Sequence, residues 1–232
     1  MTSRGCRYET VARGSLMDPV RITIALGPLA MYLVLIGWLN LSKRPFVTSG
    51  ARDFLALAVA LSGLVAVGPL ELFMPEQAAA VMGGKIWIPL ILLYLLVTSL
   101  ISMVMKPRII VYNMSADEIR PMVGSIVSEL DHEARWAGDS VCLPNLRMQL
   151  YLQTHPAMRN AQLVATNGEQ NLTSWKRLES QLYQAMNNVS VTMNPRAVLF
   201  FIAASIMIAV IGVSLLAGRE VIAERMADFF RL

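Results

Sequence analysis

The polar residues best suited to acid–base chemistry lie together in the second half of the chain. Asp131, His132 and Glu133 are consecutive, Asp139 follows in a turn, and His155 precedes a proline. Carboxylates and imidazoles within hydrogen-bond reach of a substrate act as general acids and bases. Consecutive residues at a helix end do not face one another. The spacing therefore predicts a solvated helix terminus rather than a catalytic pair.

Other patterns that would indicate an enzyme or a ligand site are missing from the sequence. It has no phosphate-binding loop, nucleophile elbow, zinc-binding helix or kinase signature. Cys6 and Cys142, its two cysteines, are far apart and form neither a disulfide framework nor a zinc site. The sequence therefore predicts no catalytic residue, no metal site and no cofactor, and it favours a non-enzymatic protein over a membrane-bound enzyme.

Four long uncharged stretches set the fold class. Residues 22–42, 54–70, 86–105 and 197–218 contain no Asp, Glu, Lys, Arg or His. Each approaches the ~20 apolar residues with which a helix crosses a bilayer. The chain is also only 16% charged, against about 25% in soluble domains. We predict transmembrane helices at 22–41, 54–72, 86–105 and 197–218.

The polar residues between the third and fourth spans, 107–196, predict a small α+β domain. Ile109–Tyr112 has the pattern of a buried strand, and Ser115 with Glu118 forms a capping box ahead of an amphipathic helix. Strand-like runs follow at 134–143, 148–153 and 162–166, and then a second amphipathic helix; Gly138-Asp139 in the first run predicts a hairpin turn or a bulge. The helical apolar stripes are Ile119, Met122, Val123, Ile126, Val127 and Leu130 in the first helix and Leu172, Trp175, Leu178, Leu182 and Met186 in the second. The predicted order is β-α-β-β-β-α, in a domain large enough to fold by itself.

The fold class is thus an α-helical polytopic membrane protein with four transmembrane helices and a small α+β domain inserted between helices 3 and 4. Residues 1–21 form an N-terminal tail whose arginines precede a retained signal anchor, with Met17 as an alternative start. Residues 22–106 hold the first three spans, with a membrane-surface turn at 42–53. After the fourth span, residues 219–232 form an amphipathic tail that lies in the interface or continues the helix.

Residue types at the ends and on the faces of the spans predict membrane contacts and helix packing. Aromatic and basic residues next to a span anchor it at the interface; they are Trp38, Lys43, Arg44, Trp87, Lys106, Arg108 and Arg196. Small residues near four-residue spacing let helices approach closely in lipid; they are Ala58, Ser62 and Ala66 in the second span and Ser205, Ala209 and Gly212 in the fourth.

The charge distribution excludes nucleic acid as a partner and gives a preferred orientation. Residues 107–196 carry eight basic and eight acidic side chains, so the domain has no basic stripe. Near the membrane, the domain side has six basic residues, and the side of the termini has five, or eight if residues 1–16 are present. The dense cluster in the loop 42–53 favours a cytoplasmic domain. The glycosylation triplets at Asn113, Asn171 and Asn188 would be acceptors only in a lumenal domain. A cytoplasmic domain makes them chance occurrences.

The function predicted from these patterns is that of a membrane-anchored scaffold or regulator. Its partners are the lipid bilayer, other membrane or membrane-proximal proteins, and further copies of the chain. The alternative is a subunit of an oligomeric transporter or channel, whose pore Thr98, Ser99 and Ser102 would line. The spans contain no ionisable residue near their centres, which favours the scaffold.

Overall fold

Four helices in the structure, a computed structural model, are long and apolar enough to cross a membrane. The structure describes residues 19–70, 72, 83–156, 158–166, 172–187 and 189–219. The four helices are α1 (Pro19–Leu41), α2 (Gly50–Val65, continued to Leu70), α3 (Trp87–Val104) and α6 (Ala197–Ala217). Their number agrees with the sequence prediction, although α2 begins at Gly50 rather than at residue 54. The predicted tails before residue 19 and after residue 219 lie outside the described residues.

The large apolar side chains of these helices point mostly away from the protein. Met103 and Val104 near the end of α3 are 81% and 84% exposed, and Leu216 in α6 is 71% exposed. Contiguous apolar surface of this kind is rare in soluble monomers. The helices are therefore compatible with a multi-pass integral membrane protein.

The second span ends in a wider turn. After Val65 the helix continues as a π-helical turn over Ala66–Leu70, which contains Pro69. Proline has no backbone N–H and clashes with the preceding turn of an α-helix, so the regular bonding pattern stops before it. A short 3-10 helix, Gly83–Ile86, leads into α3.

A six-stranded antiparallel sheet carries the polar part of the chain. Its strands are β1 (Phe46–Ser49), β2 (Arg108–Tyr112), β3 (Arg135–Ala137), β4 (Ser140–Leu143), β5 (Met148–His155) and β6 (Asn160–Ala165). They lie in the order β1-β2-β6-β5-β4-β3. The described residues of this part also form two helices, α4 (Ala116–Leu130) and α5 (Leu172–Asn187).

Two parts of the sequence prediction for this region are wrong. The run 134–143 is a hairpin of two strands, β3 and β4, because Gly138 takes a left-handed conformation (φ +64°) that turns the chain back. The order after β2 is therefore β2-α4-β3-β4-β5-β6-α5 rather than β-α-β-β-β-α. The loop 42–53, predicted as a membrane-surface turn, contributes the edge strand β1.

One hydrophobic core lies between the sheet and the two helices. Alternate residues of the strands face it, such as Ile109 and Val111 of β2 and Leu150 of β5, all fully buried. The predicted stripes pack on the same core. The buried helical members are Ile119, Val123, Ile126 and Val127 in α4 and Trp175, Leu178, Leu182 and Met186 in α5; Met122 and Leu130 are partly buried against them.

The chain divides into two compact units. One contains the described parts of Met1–Leu33, Val59–Ile86 and Ile202–Leu232, and the other contains Val34–Ala58 and Trp87–Phe201. The second unit thus includes the whole sheet and all of α3. It also includes the end of α1, the first part of α2 and the start of α6.

Candidate functional site

The edge strand β1 joins the sheet to the beginning of the second span. It pairs with β2 so that Phe46 lies opposite Tyr112 and Ser49 lies opposite Ile109. The Tyr112 hydroxyl donates a hydrogen bond to the carboxylate of Asp53, in the first turn of α2. The rings of Phe46 and Tyr112 pack with centroids 6.3 Å apart. The segment that follows α1 is therefore an integral part of the sheet.

The absence of a side chain at Gly50 is needed where β1 turns into α2. A Cβ at this position would overlap the Arg108 side chain, which lies across the glycine. Arg108 was predicted to be a membrane-interface anchor, and the structure places it half-buried at the start of β2. Gly50 and Arg108 together fix how closely the start of α2 approaches the sheet.

Buried asparagines connect the end of α1 to the domain. We call the group formed by Asn40, Asn113, Arg159 and Asn194 the junction. Its three asparagines are at most 2% exposed. The carbonyls at the end of a helix have no partner within it, and here the domain supplies donors. The bonds run from Asn194 N–H to Asn40 O (3.2 Å), from Asn113 Nδ2 to Ser42 O (2.6 Å) and from Val191 N–H to Lys43 O (2.9 Å).

The same asparagines fix the neighbouring turns. Asn194 Nδ2 donates to the carbonyl of Met158 (3.2 Å), and Asn194 Oδ1 accepts from the N–H of Arg196 (3.1 Å) at the start of α6. Asn113 adopts a left-handed conformation (φ +62°), which asparagine tolerates better than most residues. Asn113 is fully buried and its amide is hydrogen-bonded, which closes it to glycosylation in the folded protein. The triplet asparagines Asn171 and Asn188 lie outside the described residues.

Arg159 is the charged member of the junction. Its guanidinium forms an ion pair with Glu118 (3.0 Å) and donates to the carbonyl and hydroxyl of Thr192 (3.0 and 2.8 Å). Its backbone is left-handed (φ +51°), an unfavourable conformation for a large side chain. Its carbonyl accepts from the N–H of Met114 (2.7 Å). Arg159 thus links the turn between β5 and β6 to the start of α4 and to the segment before α6.

Glu118 closes the predicted capping box. Its carboxylate accepts hydrogen bonds from the N–H and from the hydroxyl of Ser115, both at 2.8 Å. These bonds, the first of them above all, and the nearby Arg159 guanidinium hold the pKa of Glu118 below its usual range, against the opposing effect of burial. The carboxylate is therefore ionised at neutral pH, as the ion pair requires.

Asp131 has a structural task that the sequence did not reveal. It was predicted to lie at a solvated helix end, but it is 2% exposed. Burial alone would raise its pKa. The hydrogen bonds that its carboxylate accepts from Glu133 and from Asn145 and Leu146 outweigh burial and lower the pKa instead. Asp131 therefore joins the end of α4 to the turn between β4 and β5.

The remaining candidate acids and bases do not converge around a shared site. His132 and Glu133 are exposed beside the buried Asp131, and His155 is exposed at the end of β5. Asp139, in the β3–β4 turn, forms an exposed ion pair with Arg120 of α4 (3.2 Å). In the described part of the chain, no cluster of three or more His, Cys, Asp or Glu side chains is placed to hold a metal ion.

The small residues predicted to pack helices lie in different environments. Ala58 is buried, and its carbonyl accepts a bond from the Tyr94 hydroxyl (2.6 Å). Gly63, which the sequence did not single out, packs against the backbone of Ile24 in α1. The other predicted residues are less enclosed: Ser62, Ala66 and Gly212 are half-buried, and Ser205 and Ala209 are exposed.

The predicted interface anchors lie mostly at the surface. Trp38 is 70% exposed near the end of α1. Trp87 is half-buried at the start of α3, and the remaining basic anchors are the exposed residues Lys43, Arg44, Lys106 and Arg196.

A cavity of about 210 Å³ lies where α1 ends, between β1 and the last turn of α5. Its described apolar lining includes Leu39, Phe46 and Met186, and its polar lining includes Arg44 and Tyr183. The cavity therefore has a largely apolar lining with one basic side chain.

Comparison with family models, curated proteins and solved structures gives no match to this chain.

Proposed function

We propose that this protein is a multi-pass integral membrane protein whose α+β domain is a fixed platform for a partner protein, and that it acts as a scaffold or regulator. The observation that carries the proposal is the pairing of β1 with β2. A domain attached only by a flexible linker would move independently of its anchor. Here the strand between the first two spans belongs to the sheet, and the domain caps the end of α1. A partner bound to the sheet would therefore act directly on the ends of the spans.

The sheet offers such a partner a surface with an uncharged centre, on the face that also carries Arg108 of β2 and Arg135 of β3. The core occupies one face of β5 and β6, and the other face carries no Asp, Glu, Lys or Arg. Its centre is Tyr151, 43% exposed, opposite Val164 and beside Gln153. Interface centres are depleted in charge and enriched in tyrosine. This surface supports protein recognition, in keeping with the role predicted from the sequence.

Photo-crosslinking in native membranes tests this function. A photoreactive residue at Gln153 is expected to give a discrete adduct with one protein. Tyr151→Arg should abolish this adduct, because it places a charge at the centre of the surface. The control is Gln184→Arg, at an exposed position of α5 outside the sheet surface, which should leave the adduct intact.

Two results would contradict the platform function. One is an adduct at Gln153 that is insensitive to Tyr151→Arg. The other is ion or solute flux through liposomes that depends on Ser99 and Ser102, which would favour the transporter or channel instead.

We also propose that the domain faces the cytoplasm, with four membrane crossings. The pairing of β1 with β2 requires the loop after α1 and the domain to lie on the same side. The proposed crossings α2 and α3 separate these two segments in the sequence. Because two crossings return the chain to the side from which it started, this arrangement meets the requirement.

Thiol labelling in a Cys6→Ser, Cys142→Ser background tests the orientation. In intact cells, an impermeant reagent should not label Arg44→Cys or Thr166→Cys, and it should label both after permeabilisation. A cysteine added after Leu232 should be labelled without permeabilisation. Labelling of both domain cysteines in intact cells would reverse the orientation, and opposite behaviour of Arg44→Cys and Thr166→Cys would refute the shared side.

A further inference from the structure

The cavity at the end of α1 combines a basic side chain with a largely apolar lining. Arg44 is the basic residue that lines it, next to the exposed Lys43. Tyr183 and Asn187, from the last turns of α5, add polar groups. None of the described residues that line the cavity is acidic. The electrostatics of the site therefore favour an anion.

The cavity also lies where a lipid headgroup is expected. The position of the cavity at the level of the headgroups rests on the proposed membrane function. Tryptophan side chains concentrate at the membrane interface, and Trp38 is one turn before Ser42 of the cavity lining. Leu35 and Leu39 are four residues apart on the same face of α1; Leu35 is 52% exposed and Leu39 lines the cavity. Apolar side chains thus follow one face of α1 up to the cavity that Arg44 also lines.

The size of the cavity limits what can enter it. Since one water accounts for about 30 Å³ of liquid, 210 Å³ holds roughly seven groups of that size. This is enough for a phosphate with a short polar substituent and too little for acyl chains. The chains would remain outside, against α1.

We propose that this cavity binds the headgroup of an anionic phospholipid. Arg44 pairs with the phosphate, because a guanidinium matches phosphate oxygens with two parallel hydrogen bonds. The hydroxyl of Tyr183 and the side-chain amide of Asn187 donate to the remaining headgroup oxygens, and the acyl chains lie along Leu35 and Trp38. An anionic lipid bound in this way would connect α1, β1 and α5 and stabilise the domain at the membrane surface.

Native mass spectrometry of the full-length protein in detergent tests this proposal. Phosphatidylglycerol should bind at least tenfold more tightly than phosphatidylcholine. Arg44→Gln should weaken phosphatidylglycerol binding about tenfold, the effect of losing a charged hydrogen bond. The control Lys106→Gln removes an exposed charge outside the cavity lining and should have little effect. Tyr183→Phe, which keeps the ring, should give a smaller loss than Arg44→Gln.

Several results would overturn the lipid site. Equal losses in Arg44→Gln and Lys106→Gln would indicate unspecific attraction to surface charge. Full competition by soluble glycerol phosphate would indicate a soluble phosphate ligand instead. The protein could remain in membranes after alkaline carbonate extraction and yet bind phosphatidylglycerol no more tightly than phosphatidylcholine. That combination would overturn the lipid site but not the membrane function. Release by that extraction would overturn the membrane function on which it rests.

Discussion

A fragment of residues 107–194 without β1 will fail to fold, whereas residues 44–53 joined to it through a Gly/Ser linker will restore a cooperative unfolding transition. Without β1, the strand β2 becomes an exposed edge. Ile110 and Tyr112, on the face of β2 away from the core, are now 3% and 7% exposed and would lose much of their cover. Exposed apolar edge strands promote aggregation.

The expected loss is comparable to the whole stability of a small domain. Burying one large apolar side chain contributes about 1.5–3 kcal/mol, so exposing Ile110 and Tyr112 costs roughly 3–6 kcal/mol. Domains of this size are stable by only about 5 kcal/mol or somewhat more. Circular dichroism during urea unfolding compares the unfolding transitions of the short and the fused fragments, and size-exclusion chromatography detects aggregation.

The fused fragment offers a matched control. Val47 of β1 packs against the core, so Val47→Asp should return the fused fragment to the unfolded behaviour of the shorter one. Thr48→Ser, a small change on the opposite face of the strand, should preserve folding. A cooperative transition of the 107–194 fragment at the same urea midpoint as the fused fragment would contradict the structural role of β1.

The substitution Gly63→Val is expected to disrupt the packing of α1 against α2. A Cβ at this position would overlap the carbonyl oxygen of Ile24 and lie 3.2 Å from that of Ala25. Both contacts are with backbone, which cannot move aside as a side chain can. Overpacking costs about 1–3 kcal/mol where a core can adjust, and we expect a loss at or above the upper end. Thermal unfolding of the purified protein in detergent should show a markedly lower Tm.

Gly212→Val in α6 is the matched control. A Cβ on Gly212 meets no described atom within 4 Å, so the Tm of the monomeric protein should change little. A large drop would indicate that the surface of Ser205, Ala209 and Gly212 packs against another copy. An unchanged Tm for Gly63→Val would contradict the close contact of α2 with Ile24.

The number of long apolar helices could be predicted because length and lack of charge are local properties of the sequence. The stripes on α4 and α5 were predictable for the same reason, since a helical period is read within a few turns. Gly138-Asp139 predicts a hairpin turn or a bulge, but the sequence did not give the extra strand, because β3 has only three residues. A short strand of this kind carries little periodicity.

The features of the site that the sequence did not reveal depend on distant residues. β1 has four residues and lies between two spans, so its identity as a strand depends on pairing with Arg108–Tyr112. Pro45 before it and Gly50 after it were the available signals. The position of Asp131 at a helix end predicts a solvated carboxylate, whereas its burial depends on Asn145, fourteen residues away. No local pattern indicated that Arg159 pairs with Glu118.

The position of β1 also sets the order in which the protein can be made. During synthesis, β1 is complete before α2 and α3 exist, while its neighbour β2 follows both of them. Forming this pair therefore closes a loop that contains two spans, and long loops delay non-local pairing. The sheet can be completed only after the third span has been synthesised. Until then β1 has no neighbouring strand, so the domain cannot complete its sheet while α2 and α3 are still being made.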